Sequence, residues 1–230
     1  MFITRAALFF FAVVSAAFPA FSQTYPARPI VMIVPFAVGG PTDTIARIMS
    51  ERMGKTLGQQ IAVENVTGAG GSIAVNKVAR SAPDGHTLLI GAFAHAVNPS
   101  LIPGMQFDTA KDLAPVMLVG TAPMVVATAA AKPYQNWGDV IKAAKAKPDT
   151  VTIAGSGTNT ANHVAQVRFD RELKVRTTYV PFKGTGDLIS SILGGHVSAA
   201  MSYSPLAIQQ KGKMRMLAVA TKKRLPQFPD

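Results

Sequence analysis

The stretch Ile30-Val-Met-Ile-Val-Pro-Phe-Ala-Val-Gly-Gly-Pro-Thr-Asp43 decides the fold. Its first five residues form an unbroken apolar run between two prolines, which predicts a strand that is buried on both faces. Beyond the two glycines, apolar residues at positions 45, 48, 49, 53 and 57 have helical spacing, and Gly58 follows them. A buried strand, a Gly-rich turn and a helix in this order are typical of a parallel α/β sheet.

The same alternation continues on both sides of one long apolar segment, residues 116–128. Before that segment, strands are predicted at 61–63 and 87–90, and a helix at 72–80 with Ser72 as its cap. The segments predicted after it are helices at 137–147, 162–173 and 187–193, a short helix after Pro205, and strands at 151–154, 176–180, 197–203 and 214–220. Two such series predict a two-lobed α/β protein with a ligand cleft between the lobes, at the carboxyl ends of the strands.

The N-terminus has the pattern of a secretory signal. Arg5 precedes an apolar or small run from Ala6 to Phe18, and Ala20-Phe-Ser22 places small residues where a signal peptidase reads them. The run is shorter than the roughly 20 residues of a membrane-spanning helix. A buried N-terminal helix is the alternative. We expect residues 1–22 to be removed and the remaining chain to act in the periplasm.

Composition limits the possible chemistry. The chain has 230 residues and a formal charge of +11. It has no cysteine, so disulfides, thiolate metal sites and cysteine nucleophiles are excluded. The basic residues are dispersed, so a nucleic-acid partner is not expected, whereas an anionic ligand is compatible with the charge. The four histidines are His86, His95, His163 and His196, and their spacing matches no metal site. Because the common catalytic motifs are missing too, we expect no metal, no cofactor and no enzymatic activity.

The Gly-rich turn after the first strand is a candidate anion site. The amides of Gly39, Gly40, Thr42 and Asp43 would be unpaired donors at the positive end of a helix. A tight strand-to-helix turn needs glycine in any case, so this turn alone leaves the question open. The Asp43 carboxylate would either brace the turn, which we favour, or face a ligand ammonium group or a bridging water.

Three more Gly-rich turns follow predicted strands, at residues 65–72, 154–163 and 180–184. The first of them lacks the G-x-G-x-x-G spacing of dinucleotide folds, so cofactor binding is not expected there. Hydroxyls and amides of the second would face the first turn across the cleft, and Lys183 would supply a positive charge.

Motifs throughout the chain resemble one known family. They are Tyr25-Pro-Ala-Arg-Pro-Ile30, Val34-Pro-Phe-x-x-Gly-Gly-x-Thr-Asp43, Val63-Glu-Asn65 with Gly68-Ala-Gly-Gly71, Ala82-Pro-Asp-Gly85, Tyr179-Val-Pro-Phe-Lys-Gly184, Leu193-Gly-Gly-His-Val197 and Leu217-Ala-Val219. In this order they resemble the Bug-type extracytoplasmic receptors of tripartite tricarboxylate transporters. The resemblance implies a periplasmic-binding-protein-like (type II) fold whose two lobes close on a carboxylate through loop backbone and ordered water. It also implies delivery to a small and a large membrane subunit.

Three departures from the family pattern matter. Asn159-Thr160 replaces a frequent Gly-Ser pair, but Asn tolerates a left-handed backbone and Thr keeps a hydroxyl. Ser202-Tyr-Ser204 stands where relatives often carry an acidic or amide residue, which would change the choice of ligand. The resemblance also implies a further segment after Asp230 that completes the first lobe. We therefore expect an incomplete first lobe, with an uncovered sheet edge and apolar face, and poor stability or aggregation unless another polypeptide completes it.

The predicted organisation has four parts: a signal peptide at 1–22, the first lobe at 23–115, the second lobe with the hinge strands at 116–222, and the start of a return to the first lobe at 223–230. The expected ligand-binding residues are Phe36, Gly39, Gly40, Thr42, Asp43, Phe93, Ala94, Asn159, Thr160, His163, Lys183, Gly184 and Tyr203. The expected function is capture of a small carboxylate, a di- or tricarboxylate or similar organic anion, for a tripartite tricarboxylate-type transporter. We expect a monomer when the chain is complete.

Two alternative functions stay open at this point. The protein would be a ligand sensor that signals to a membrane partner, or a secreted α/β enzyme built on a Ser/Lys or His/Asp pair from these loops. Only the partner would distinguish the sensor from the transport receptor, because both use the same site. Turnover of a ligand would identify the enzyme.

Overall fold

The computed structural model describes residues 24–91 and 93–228, and of Phe93 and Ala94 it describes the backbone only. The predicted signal peptide, residues 1–22, lies outside the described residues. Within the described ranges, none of the helices has both the length and the apolar character needed to cross a membrane.

The first sheet contains three parallel strands in the order β2-β1-β3. Strand β1 (Ile30–Val34) pairs with β2 (Ile61–Asn65) on one edge and with β3 (Thr87–Leu89) on the other. Because β1 is central, all of its residues except Val31 are buried, as the continuous apolar run predicts. One apolar cluster of this half consists of Ile30, Met32, Val34, Ala46, Ile61 and Ile90.

Three helices accompany this sheet: α1 (Pro41–Leu57), α2 (Ser72–Ala79) and α3 (Phe93–Leu101). Helix α1 begins with Pro41 and ends at Gly58, whose φ of 66° allows the left-handed cap. The prediction that Ser72 caps α2 is wrong, because Ser72 is the first helical residue and Gly71, with φ of 97°, occupies the cap position. Helix α3 is absent from the sequence predictions, since it is short and contains Pro99.

The second sheet contains five strands in the order β6-β5-β7-β4-β8. The strands are β4 (Met124–Ala129), β5 (Thr152–Ser156), β6 (Thr178–Phe182), β7 (Ala199–Tyr203) and β8 (Met214–Val219). Strand β5 is parallel to both of its neighbours, whereas β4 is antiparallel to β7 and β8. The predicted strands are confirmed, although β6 lies two residues later than the 176–180 prediction.

Helices cover both faces of the second sheet and enclose two apolar clusters. They are α4 (Trp137–Ala146), α5 (Ala161–Leu173), α6 (Thr185–Leu193) and α7 (Ser204–Gln209). The first cluster includes Leu188 and Ile192 of α6, and the second includes Val140 of α4 and Ile153 of β5. Two sheets with helices confirm the predicted two-lobed α/β class, whereas the predicted lobe boundaries stay predictions.

Only part of the segment between the two sheets forms a strand. Residues 116–128 are mostly apolar and β-capable but are interrupted by Gly120 and Pro123; the strand starts at Met124, and residues 113–123 have no regular structure. Val116, Met117 and Leu118 are 83%, 69% and 78% exposed. The strand forms where β7 and β8 supply partners, which shows that β-propensity alone does not make a strand.

Candidate functional site

Four loops connect the carboxyl end of a strand to the N-terminus of a helix. They are loop A (residues 35–40) after β1, loop B (66–71) after β2, loop C (157–160) after β5 and loop D (183–184) after β6. Because β1 and β2 are parallel, loops A and B lie at one edge of the first sheet. Loops C and D lie together on the second sheet for the same reason. The carboxyl edges of parallel strands are the usual place for ligand sites in α/β proteins.

The loops of the two sheets contact each other in pairs. A Cβ atom built on Gly40 of loop A would lie 3.2 Å from Thr185 Oγ1, just after loop D, and one built on Gly184 would lie 3.7 Å from Ala37 Cβ. Likewise, a Cβ on Gly70 of loop B would lie 3.0 Å from the carbonyl oxygen of Thr158 in loop C. The contacts bring the N-termini of α1, α2, α5 and α6 into one region. Helix N-termini present unpaired amides and positive dipole ends, so this region suits an anion.

The buried Asp43 carboxylate holds loop A in place through hydrogen bonds. Its carboxylate is 1% exposed, and Oδ2 accepts hydrogen bonds from Gly39 N at 2.9 Å and Arg47 Nε at 3.0 Å. Oδ1 accepts from Asn65 Nδ2 at 2.9 Å. Burial raises the pKa of Asp43, but the hydrogen bonds from Arg47, Gly39 and Asn65 outweigh it and hold the pKa below its usual value. The structure therefore places Asp43 in the bracing role, the first of the two predicted.

The predicted set of free amides in loop A is too large. Gly39 N donates to Asp43, and Gly40 N donates to Ala37 O at 3.4 Å. Pro41 has no N–H, so the amides of Thr42 and Asp43 are the donors of the first turn that have no intrahelical acceptor. Two main-chain donors, rather than four, are thus available for a ligand at this helix.

Asn65 belongs to the site but is missing from the predicted residues. Its Nδ2 donates to Phe36 O and to Asp43 Oδ1, each at 2.9 Å, so it connects the end of β2 to loop A. Phe36 itself is half-buried. An amide side chain at the carboxyl end of a parallel strand is the signal that indicates such a residue, because it lies beside the loop that follows the neighbouring strand.

Loop C has the backbone that its sequence predicts. Asn159 has φ of 58°, the left-handed conformation that Asn tolerates. Thr160 is buried at the cap position of α5, and its hydroxyl donates to Gly157 O at 3.2 Å rather than capping the helix. Asn159 N donates to Nδ1 of His163 at 3.2 Å, so this nitrogen is the acceptor and Nε2 carries the proton of the neutral ring.

The support beneath loop C comes from residues that are not among the predicted ones. Tyr179 donates its hydroxyl hydrogen to Gly157 O at 2.9 Å and stacks on His163 with ring centroids 4.6 Å apart. Burial raises the pKa of Tyr179 to about 12. Asn162, which is 1% exposed, accepts from Ser156 Oγ at 2.7 Å and donates to Met201 O at 2.9 Å. These bonds hold loop C on strands β5, β6 and β7.

The other predicted residues lie around the loops to different degrees. Gly184 occupies the cap position of α6 beside loop A, while the side chain of Lys183 is exposed. Tyr203 ends β7 and is half-buried, and burial raises its pKa. Phe93 and Ala94 begin α3, and their side chains lie outside the described residues.

The side chains give little support to metal chemistry in the described ranges. Residues 24–91 and 93–228 include no group of three or more histidine, aspartate or glutamate residues that could hold a metal ion. The donors that converge in the loops are main-chain amides, hydroxyls and one exposed amine, which are suited to hydrogen bonding of an anion.

Comparison with known proteins identifies relatives along most of the chain. It matches the family model described as tripartite tricarboxylate transporter family receptor, TctC, over residues 45–230. Protein BugT of Bordetella pertussis is 35% identical over 224 residues, which cover 96% of this chain and 69% of BugT. Across the six curated relatives the chain spans 61–69% of their length.

Two solved structures show the same architecture. MatC of Rhodopseudomonas palustris, determined with bound malate, has a TM-score of 0.83 at 34% identity, covering 89% of this chain and 71% of MatC. The periplasmic binding protein BugD has a TM-score of 0.83 at 35% identity, covering 90% of this chain and 70% of BugD. The resemblance read from the motifs is confirmed, as is the prediction of a receptor rather than an enzyme. The chain belongs to the TctC family, the receptors of the tripartite tricarboxylate transporter family.

Proposed function

We propose that this protein is a periplasmic receptor that binds a small dicarboxylate between loops A and B on one side and loops C and D on the other. The ligand is then delivered to the membrane subunits of a tripartite tricarboxylate-type transporter. The periplasmic site of action and the transporter partners rest on family membership. The binding site rests on the geometry of the loops.

The observation that carries the proposal is the convergence of helix N-termini from both sheets. Loop A contacts the start of α6, and loop B contacts the loop before α5. Each sheet therefore supplies its own set of amide donors, and a ligand with a carboxylate at each end satisfies both sets at once. Malate, which is bound in MatC, is such a ligand.

The energetics are sufficient for capture at micromolar concentration. A hydrogen bond to a charged group contributes about 1.5–3 kcal/mol, and a micromolar dissociation constant requires about 8 kcal/mol. Hydrogen bonds from the first-turn amides of Thr42 and Asp43, and from a similar set in α5 and α6, supply this free energy even after the cost of ordering the ligand and the loops is subtracted. The bracing of Asp43 and Asn65 reduces that ordering term, because loop A is already held in place.

Calorimetric titration of the purified chain tests this function. Malate, succinate, adipate, citrate and glutamate form the panel, with dimethyl malate as the uncharged control. We expect one-to-one binding of at least one dicarboxylate and none of the ester. If circular dichroism and a cooperative thermal transition show a folded protein and no acid of the panel gives heat, the proposal is wrong.

A charge placed at the α1 N-terminus locates the site. Thr42→Glu adds a negative charge in the first turn, which favours the helix but repels an anionic ligand. We expect about tenfold weaker binding without loss of thermal stability. Val167→Glu, on the exposed face of α5, adds the same charge away from the loops and serves as the matched control. Equal losses in both variants would show that net charge, not this helix, governs binding.

A further inference from the structure

We infer that Gly40 is a specificity-determining residue: its missing side chain lets loop A approach Thr185 closely enough to fit short dicarboxylates. The inference rests on the proposed function and adds to it a physical limit on ligand length. It concerns the separation of the two loop pairs rather than the donors that hold the carboxylate.

The backbone at Gly40 does not require glycine. Its φ of −76° and ψ of 167° are ordinary extended values that any residue adopts. The position is the cap of α1, where Ser, Thr, Asp and Asn are preferred over glycine or serve equally well. A reason for glycine other than backbone conformation is therefore needed.

The reason is the small space between position 40 and the neighbouring loops. A Cβ at position 40 would lie 3.2 Å from Thr185 Oγ1 and 3.4 Å from Ala37 O. Thr185 is the first residue of α6, so the nearest obstacle belongs to the opposite half of the site. On the same side, a Cβ at Gly184 would be 3.7 Å from Ala37 Cβ, which shows that main chain and small side chains make up this contact.

The opposite side of the site has a similar contact. A Cβ on Gly70 would lie 3.0 Å from Thr158 O in loop C. The φ of Gly70 is 62°, so backbone conformation also favours glycine there. Gly40 is thus the better position for a test, because the close contact with Thr185, and not backbone conformation, accounts for the glycine there.

The consequence is a limit on the distance between the two sets of amides. A Cβ at position 40 requires loop A and Thr185 to separate by a few tenths of an ångström, and the donors of α1 and α6 move apart with them. The hydrogen bonds to a four-carbon diacid that engages both sets then lengthen and weaken, whereas a longer and more flexible six-carbon diacid is less affected. Gly40 therefore favours short ligands.

The affinity test compares malate and adipate on Gly40→Ala and Gly40→Val. We expect malate to bind about tenfold more weakly to Gly40→Ala and still more weakly to Gly40→Val, with a smaller loss for adipate. Gly120→Ala is the matched control, because Gly120 also lies in an irregular segment and has nothing within 4 Å of an added Cβ. Its malate affinity should stay within about twofold of the parent.

A double-mutant cycle with Thr185→Ala assigns the effect to the contact. If Thr185 is the obstacle, adding Gly40→Ala to Thr185→Ala weakens malate binding less than threefold, whatever Thr185→Ala does alone. An undiminished tenfold loss in that background, or parent-like malate binding by Gly40→Ala, overturns the inference.

A distance measurement keeps the test independent of any ligand. The chain has no cysteine, so Arg52→Cys on α1 and Ser190→Cys on α6, both at exposed positions, take two spin labels without competition. Pulsed electron paramagnetic resonance should report a longer mean distance in Gly40→Val than in Gly120→Ala. An unchanged distance overturns the inference. If the parent binds no acid of the panel, the proposed function fails while this distance still decides the role of Gly40.

Discussion

Asn65 donates a hydrogen bond of 2.9 Å from Nδ2 to Oδ1 of Asp43, joining the end of the second strand to the first turn of the first helix. The same nitrogen donates to Phe36 O, and the other carboxylate oxygen accepts from Gly39 N. Loop A is therefore held at both of its ends by two side chains that are spaced 22 residues apart in sequence.

Asp43→Asn should destabilise the protein by about 1–3 kcal/mol, because the amide keeps only one acceptor oxygen: if that oxygen accepts from Gly39 N and Arg47 Nε, its NH₂ group faces the donor Nδ2 of Asn65. Urea denaturation followed by circular dichroism measures the change. Glu51→Gln is the control, since Glu51 forms an exposed pair with Lys55 on the same helix. A loss in the control equal to that in Asp43→Asn would contradict the bracing role.

The Asp43 carboxylate also gives the protein an acid-sensitive contribution to stability. Because the folded-state pKa lies below the ordinary value of 3.8, the contribution is present above that pH and is lost as pH falls through the lowered pKa. We expect the free energy of unfolding to decrease more steeply below pH 4 in the parent than in Asp43→Asn. Parallel curves for the two proteins would show that Asp43 does not titrate differently on folding.

Tyr179→Phe should remove an alkaline transition. The pKa of Tyr179 is raised from 10.0 to about 12 by burial, so its contribution to stability is present below pH 10 and is lost between about pH 10 and 12. At neutral pH the substitution should destabilise by only about 1 kcal/mol, because Gly157 O still accepts from Thr160. Subtracting the variant's stability curve from that of the parent isolates this residue from the other tyrosines.

Asn159→Val should strain loop C. A β-branched residue at φ of 58° is unfavourable by about 1–2 kcal/mol, whereas Asn159→Gly should leave stability nearly unchanged. Thermal melts of the two variants and of Thr158→Val, at an exposed neighbouring position, measure the difference. Equal melting temperatures for all three would show that the left-handed backbone is not maintained in solution.

Lys183→Gln should affect the rate of ligand binding more than its strength. The side chain is exposed, and exposed charges steer anions in a manner that salt screens. We expect malate affinity to fall less than threefold and the association rate to lose part of its salt dependence. Stopped-flow binding at low and high salt measures both, with Lys147→Gln as the control at another exposed lysine. A loss greater than tenfold would instead place Lys183 in direct contact with the ligand.

The local parts of the fold could be predicted from sequence, because they depend on short-range patterns. The apolar run 30–34 and the helical spacing after it determine a strand and a helix without reference to anything distant. The left-handed backbone at Asn159 is likewise a property of the residue type. Predicting these features requires no knowledge of contacts between distant segments.

The remaining features depend on contacts between segments that are far apart in sequence. Whether Gly39 N is free depends on Asp43, and the position of Asp43 depends on Asn65. The start of β4 within the apolar segment 116–128 could not be placed from sequence, because a strand needs a partner, and β7 and β8 pair only from Met124 onward. Helix α3 was missed because the penalty for an internal Pro99 was overcome by tertiary packing that sequence does not show.

The first-turn amides of α1 have a consequence for how such a receptor changes during evolution. A main-chain N–H is present whatever side chain a codon specifies, so apart from a change to proline no point mutation deletes it. Under the proposed function, relatives that share only 31–35% of their residues with this chain would keep the same main-chain donors while the surrounding side chains diverge. Selectivity would then drift through the shape of the loops, with recognition of charge conserved by the backbone.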